Sequence, residues 1–275
     1  MLTFPVTSEL LLFLLVISIP LIGFHLLYKF RHGIVRFISH SIARKISSSI
    51  AIPRKFIATD ISVNPPLTSS DPKELAFKFK FTLAMLFLNI YTYIFTSDFN
   101  GTISQSVLEN LGFSYQNFAQ HQWFILVTSN FIHFNLLHLT INMVMLLFVT
   151  GALELLMGSA FTAIIFLVSM NSNIPNGIFL LPLLRVFFPV LWLDTVHYID
   201  VGASLGIIGT LGGLARLLIP RLRWSLMGLA ILGAVIGSIY IKTLFGLDHA
   251  FAAILGYLTA VYLIRISKKK VDRID

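Results

Sequence analysis

Four polar side chains in an otherwise apolar sequence have the types and spacing for acyl-transfer chemistry. Ser204 sits in Gly202-Ala203-Ser204-Leu205-Gly206, which reads as a loop-to-helix junction. A serine there is exposed, and the unpaired N–H groups of the first helical turn can receive a developing oxyanion. His249 opens another apolar run. It can take the Ser204 proton as a general base and return it to a leaving amine. His138 and Asn142 are four residues apart, hence on one face of a third helix. Both can donate hydrogen bonds, as an oxyanion site requires. Hydrogen bonding between membrane helices is the other use of such side chains, and spacing alone leaves both open. Metal hydrolysis has less support: His133 and His138 are five apart with no acid between them, and no His-Glu-x-x-His run occurs. No metal and no cofactor are expected. The chain has no cysteine, which excludes a thiol nucleophile and Cys-ligated clusters.

The elements that must carry these residues are membrane helices. Of the 275 residues 56% are hydrophobic and only 12% charged, half the share of about 25% in soluble domains. A bilayer core of about 30 Å takes about 20 apolar residues per helix. Seven candidates emerge: Leu10–Tyr28, Phe77–Thr96, Leu136–Met157, a weak one from Ala160 to about Leu180, Gly202–Leu218, Trp224–Ile241 and Asp248–Ile266. The fold class is therefore an all-α membrane protein.

Charge sets the orientation. Ten basic residues lie between Lys29 and Lys80, three at Arg216, Arg221 and Arg223, and five from Arg265 to Arg273, together 18 of the 20. All flank apolar runs, the positive-inside pattern. The net charge of +8 thus marks the cytoplasmic side of a bilayer rather than nucleic acid, for which no aromatic-basic platform is present. The first helix has its N-terminus outside. Residues 29–76 form a cytoplasmic linker in which Ile34, Phe37, Ile38, Ile42 and Ile46 mark a basic amphipathic helix on the inner leaflet. Residues 97–135 form a long external loop. The helices beginning near His138, Ser204 and His249 all run inward, so their polar groups converge near the outer face, about 5–10 Å deep. Ile178 to Leu193 contains Pro182, Arg185 and Pro189 and reads as an external segment dipping into the interface.

At this point the chain resembles the rhomboid intramembrane serine proteases. The matching residues are His133-Phe134-Asn135-Leu136-Leu137-His138, Asn142, Gly151-Ala152-Leu153-Glu154 and Gly158, then Gly202-Ala203-Ser204, then His249 followed by Ala252 and Gly256. The resemblance runs from about Phe77 to Ile266. It implies a six-helix rhomboid-like core over residues 77–267, preceded by an extra transmembrane helix within residues 1–28 and followed by a cytoplasmic tail, 268–275. It implies a Ser204–His249 dyad without a third acid, oxyanion donors from His138, Asn142 and the Ser204 N–H, and a structural role for Glu154. The implied activity is a serine endopeptidase that cuts transmembrane protein substrates near the outer membrane face. A bacterial inner (plasma) membrane is the expected location. The family's usual glycine after the serine is Leu205, its frequent tyrosine one turn on is Ile208, and its usual arginine after the loop tryptophan is Phe124. Leu205 and Ile208 favour the alternative, an inactive rhomboid-like protein that binds transmembrane clients. A shifted register would put Ala252 in place of the base. His249 is preferred because Ala252 and Gly256 then follow at three and seven residues.

Overall fold

A computed structural model describes residues 78–98 and 101–271. The expected N-terminal transmembrane helix, the amphipathic linker helix and residues 272–275 of the expected tail lie outside the described residues, while 268–271 continue the last helix.

The described chain is helical, with only isolated β-bridges in the loops. Helix α1 spans Lys80–Thr96. Three short helices follow in the loop: α2 (Gln105–Leu111), α3 (Tyr115–Ala119) and α4 (Ile125–Thr128). Helix α5 runs from Leu136 to Met157 with a π-helical turn at Leu146–Thr150, and α6 from Ser159 to Phe187. Then come α7 (Pro189–His197), α8 (Ser204–Leu217), α9 (Pro220–Ile241) and α10 (Phe245–Val271). Four of these, α5, α6, α9 and α10, are long and apolar enough to cross a bilayer. Helices α1 and α8 are apolar but shorter, at 17 and 14 residues.

Backbone contact between α8 and α10 sets the centre of the fold. A Cβ on Gly212 would collide with the Ala253 carbonyl oxygen, and one on Gly256 with the Gly209 carbonyl oxygen. Glycine alone allows this approach, and dispersion between touching backbones stabilises it where no hydrophobic effect operates between helices in lipid. Phe166 of α6 lies against Gly206, and Thr150 of the π-turn hydrogen-bonds Thr210 of α8 at 2.9 Å. By contrast, α9 turns much of its surface outward: Leu229, Leu232, Ile236 and Ile239 are exposed, and nothing lies within 4 Å of a Cβ placed on Gly228, Gly233 or Gly237, while its inner side meets α10 where Gly246 lies against the Ala234 carbonyl.

Glu154 ties three helices together. Its carboxylate accepts the N–H groups of Phe81 and Thr82, both at 2.8 Å, and the Ser159 hydroxyl at 2.5 Å. It thereby caps the start of α1 from the end of α5, where a negative charge is favourable, and holds the first residue of α6 through its hydroxyl.

The fourth span, expected to close at about Leu180, runs on to Phe187, and polar Asn171-Ser172-Asn173 only interrupts it. A turn occupies Met170–Ser172 and the helix resumes to Phe187. The physical reason is orientation. Ser169, Ser172, Asn173 and Asn176 recur at short helical spacing and are all buried, so these polar residues form an inward face of the helix. The segment after Leu180 is thus mostly helix, with α7 exposing Val190 and Leu193.

Candidate active site

Ser204 is the first residue of α8. The approach to it is fixed by the backbone. Asp200 exchanges two hydrogen bonds with Phe113, at 2.7 and 2.9 Å, and Gly202 donates its N–H to the Ser129 carbonyl at 2.8 Å. Gly202 then turns the chain with φ +114°, open to glycine and strained for any other residue. Ser204 Oγ lies 2.9 Å from His249 Nε2. The other ring nitrogen, Nδ1, lies 3.2 Å from the Phe245 carbonyl one turn back. A carbonyl only accepts, so the proton sits on Nδ1 and leaves Nε2 free to receive the Ser204 hydroxyl proton. The backbone thus orients the ring, a task an acid performs in many serine hydrolases.

His138 and Asn142 face this junction from α5. Asn142 Nδ2 donates to His138 Nε2 at 3.1 Å. A Cβ on Gly202 would come within 2.9 Å of Asn142 Nδ2 and of His138 Cε1. The absent Cβ therefore leaves the space between the α5 side chains and the start of α8 where an oxyanion would form. His138 is held by its neighbours, stacking on Phe134 at 5.7 Å and meeting the edge of His133 at 5.1 Å. His133 is fully buried, and burial pushes its imidazole down to about 3, so it stays neutral.

The four residues singled out from the sequence are thus in one place, at the wall of a cleft of about 590 Å³ lined by Ser204, His138 and His249 but not by the deeper Asn142. The far wall is α9, through Leu229, Gly233, Ala234 and Gly237. Leu205 is buried and does not line the cleft, whereas Ile208 does. Trp123 is exposed in the loop and likewise does not line it.

Sequence reasoning passes over two acids in this region. Asp200 lines the cleft, and burial pushes its carboxyl up to about 7. Asp248, next to His249, is fully buried and takes hydrogen bonds from the Asn176 amide and from the Tyr115 hydroxyl at 3.3 Å. Tyr115 also donates to the Asn173 carbonyl at 3.1 Å, tying the loop, α6 and the start of α10 together. The available signal is a charge four residues before Ser204, and another one before His249, in runs otherwise apolar. Among the described residues no cluster of three or more His, Asp or Glu could hold a metal ion.

These features define a helical membrane protein with a hydrogen-bonded serine–histidine pair at the start of two packed helices. A family model, the rhomboid domain, matches residues 120–266, more than half of the chain. The chain belongs to the rhomboid family. No curated protein and no solved structure matches it.

Proposed function

We propose that this chain is an intramembrane serine endopeptidase acting on transmembrane segments of membrane proteins. The observation that carries the reading is the 2.9 Å contact between Ser204 Oγ and His249 Nε2, with Nδ1 facing the Phe245 carbonyl. His249 Nε2 takes the Ser204 proton as Oγ attacks the scissile carbonyl. The oxyanion forms in the space beside Gly202, where the Ser204 N–H and the second Asn142 amide hydrogen can donate to it, joined by His138 in the tautomer that carries its proton on Nε2. His249 then protonates the leaving amine, and water, activated by the same ring, releases the acyl group. Substrate enters beside α9, because α9 is the least buried of the four long apolar helices and forms the far wall of the cleft.

In this reading α1 and α8 complete a six-helix core over residues 77–267, and the cut falls near the outer face, where α8 and α10 begin. A bacterial inner membrane is the proposed setting.

The test is covalent labelling by a serine-directed fluorophosphonate together with cleavage of a reconstituted transmembrane substrate. Ser204→Ala and His249→Ala should each abolish both, and the double variant should be no worse than either single, as for residues acting as a unit. Activity surviving in Ser204→Ala would sink the serine mechanism. A wild type that neither labels nor cuts, yet retains transmembrane clients on purification, would establish the binding-only alternative.

A further inference from the structure

Among the described residues that line the cleft, Asp200 is the only acid. The other ionisable groups there have partners in the chemistry or lie beside it: His249 with Ser204, His138 with Asn142, and the Tyr198 phenol. Around them the walls are apolar, with Ile208, Leu229, Ala234 and Phe245. The position of Asp200 is not left to a flexible loop. Its backbone is clamped by two hydrogen bonds to Phe113, and two residues later Gly202 is clamped by Ser129. A carboxylate held rigidly in an apolar cleft is poorly solvated, and the ligand that best compensates it is a cation with hydrogens to donate. Burial pushes this carboxyl up to about 7 even though the neighbouring Val201 N–H favours its charged form. That one neutral donor therefore does not replace the solvation lost. Tyr115, the nearby phenol on the loop side, is committed to Asp248 and the Asn173 carbonyl.

We infer that Asp200 is a specificity-determining residue that selects substrates carrying a cationic side chain, arginine or lysine, beside the scissile bond. This deepens the protease reading and rests on it. Asp200 lies four residues before Ser204 and shares its cleft, so a substrate whose carbonyl reaches Ser204 must place a neighbouring side chain along that wall. An arginine or lysine there meets the carboxylate. A glutamate meets like charge in a low-dielectric cleft and is rejected. An apolar residue leaves the carboxylate uncompensated.

The experiment uses matched transmembrane peptides, identical save for one residue that is arginine, glutamine or glutamate, scanned through the segment nearest the outer face. The full-length wild type in detergent should show a position at which kcat/KM for arginine exceeds that for glutamate about tenfold or more, the weight of one hydrogen bond to a charged group. Asp200→Asn should bring that ratio close to one, and Asp200→Lys should invert it. The ratio cancels any general loss of turnover or fold in the variants. Peptide affinities measured on Ser204→Ala protein, with and without Asp200→Asn, read the same preference without turnover, so an inactive wild type still decides the matter. A wild-type ratio near one at every position, in both cleavage and binding, overturns the inference, as does a ratio that Asp200→Asn leaves unchanged. Failure of the protease reading is seen separately, as absent labelling and cleavage.

Discussion

Gly202→Ala isolates the oxyanion space from the dyad. The new Cβ would lie 2.9 Å from Asn142 Nδ2, 2.9 Å from His138 Cε1 and 3.0 Å from His138 Nε2, at a backbone φ of +114°. The backbone conformation costs about 1–3 kcal/mol for a non-glycine residue, and the crowding roughly another 1–3 kcal/mol. Relief comes by pushing Asn142 and His138 away from the start of α8, which is where they would donate to an oxyanion. Loss of one such donor costs about 10²–10³ in kcat in a soluble protease. The variant should therefore melt at a lower temperature and lose about 10²–10³ in turnover. Its Ser204–His249 contact lies on the other side of the serine and should survive. Thermal melts in detergent, fluorophosphonate labelling rates and cleavage of a reconstituted substrate read these separately. Gly228→Ala is the control: nothing lies within 4 Å of its Cβ, and mid-helix alanine is better than glycine by about 0.5–1 kcal/mol. Turnover in Gly202→Ala within about threefold of wild type, far short of the loss of a donor, would refute the placement of the oxyanion beside Gly202.

Three further outcomes follow from the same geometry. Asn142→Ala should lower turnover by up to about 10²–10³ while leaving substrate affinity nearly intact; unchanged single-turnover rates would remove Asn142 from the site. Glu154→Leu strands the N–H groups of Phe81 and Thr82 and the Ser159 hydroxyl. It should destabilise by about 3–5 kcal/mol, the cost of several buried donors left unpaired, and an unshifted melt would contradict the capping role. The Asp200 carboxyl, raised to about 7 against about 3.9 unfolded, favours the protonated folded form. Its contribution to stability is complete below about pH 4 and is lost as pH rises through about 7. Tyr115, Tyr198 and Asp248 surround this group, with His138 and His249 across the cleft. Melting temperature should fall from about pH 5 to pH 8, with a shallower fall in Asp200→Asn; identical slopes would refute the assignment.

Much of this is legible in the sequence because the bilayer thins out the possibilities. A histidine, serine or asparagine inside an apolar run is rare enough to single out. That is why Ser204, His249, His138 and Asn142 stand out in the sequence alone. Glu154 is legible as structural through the family resemblance, though its partners Phe81 and Thr82, over 70 residues away, are not. The Tyr115–Asp248 pair is out of reach for the same reason, at 133 residues of separation. The inward polar face of α6 is not legible, because Ser and Asn read alike in a loop and in a helix face buried against its neighbours. The tautomer of His249 is also invisible in the sequence, since its partner is a backbone carbonyl that any residue at position 245 would supply.

Fourteen residues make α8 only about 21 Å long, against a hydrocarbon slab of about 30 Å. In the six-helix reading proposed above, Arg216 near one end sits at the headgroups and Ser204 at the other is recessed below the opposite leaflet's surface. Lipids must bridge that difference by compressing their chains around the protein, or water must fill the depression above the serine. Acyl-chain length thus acts as a ruler for the nucleophile: thin bilayers bring it up towards bulk water, and thick ones bury it with its cleft.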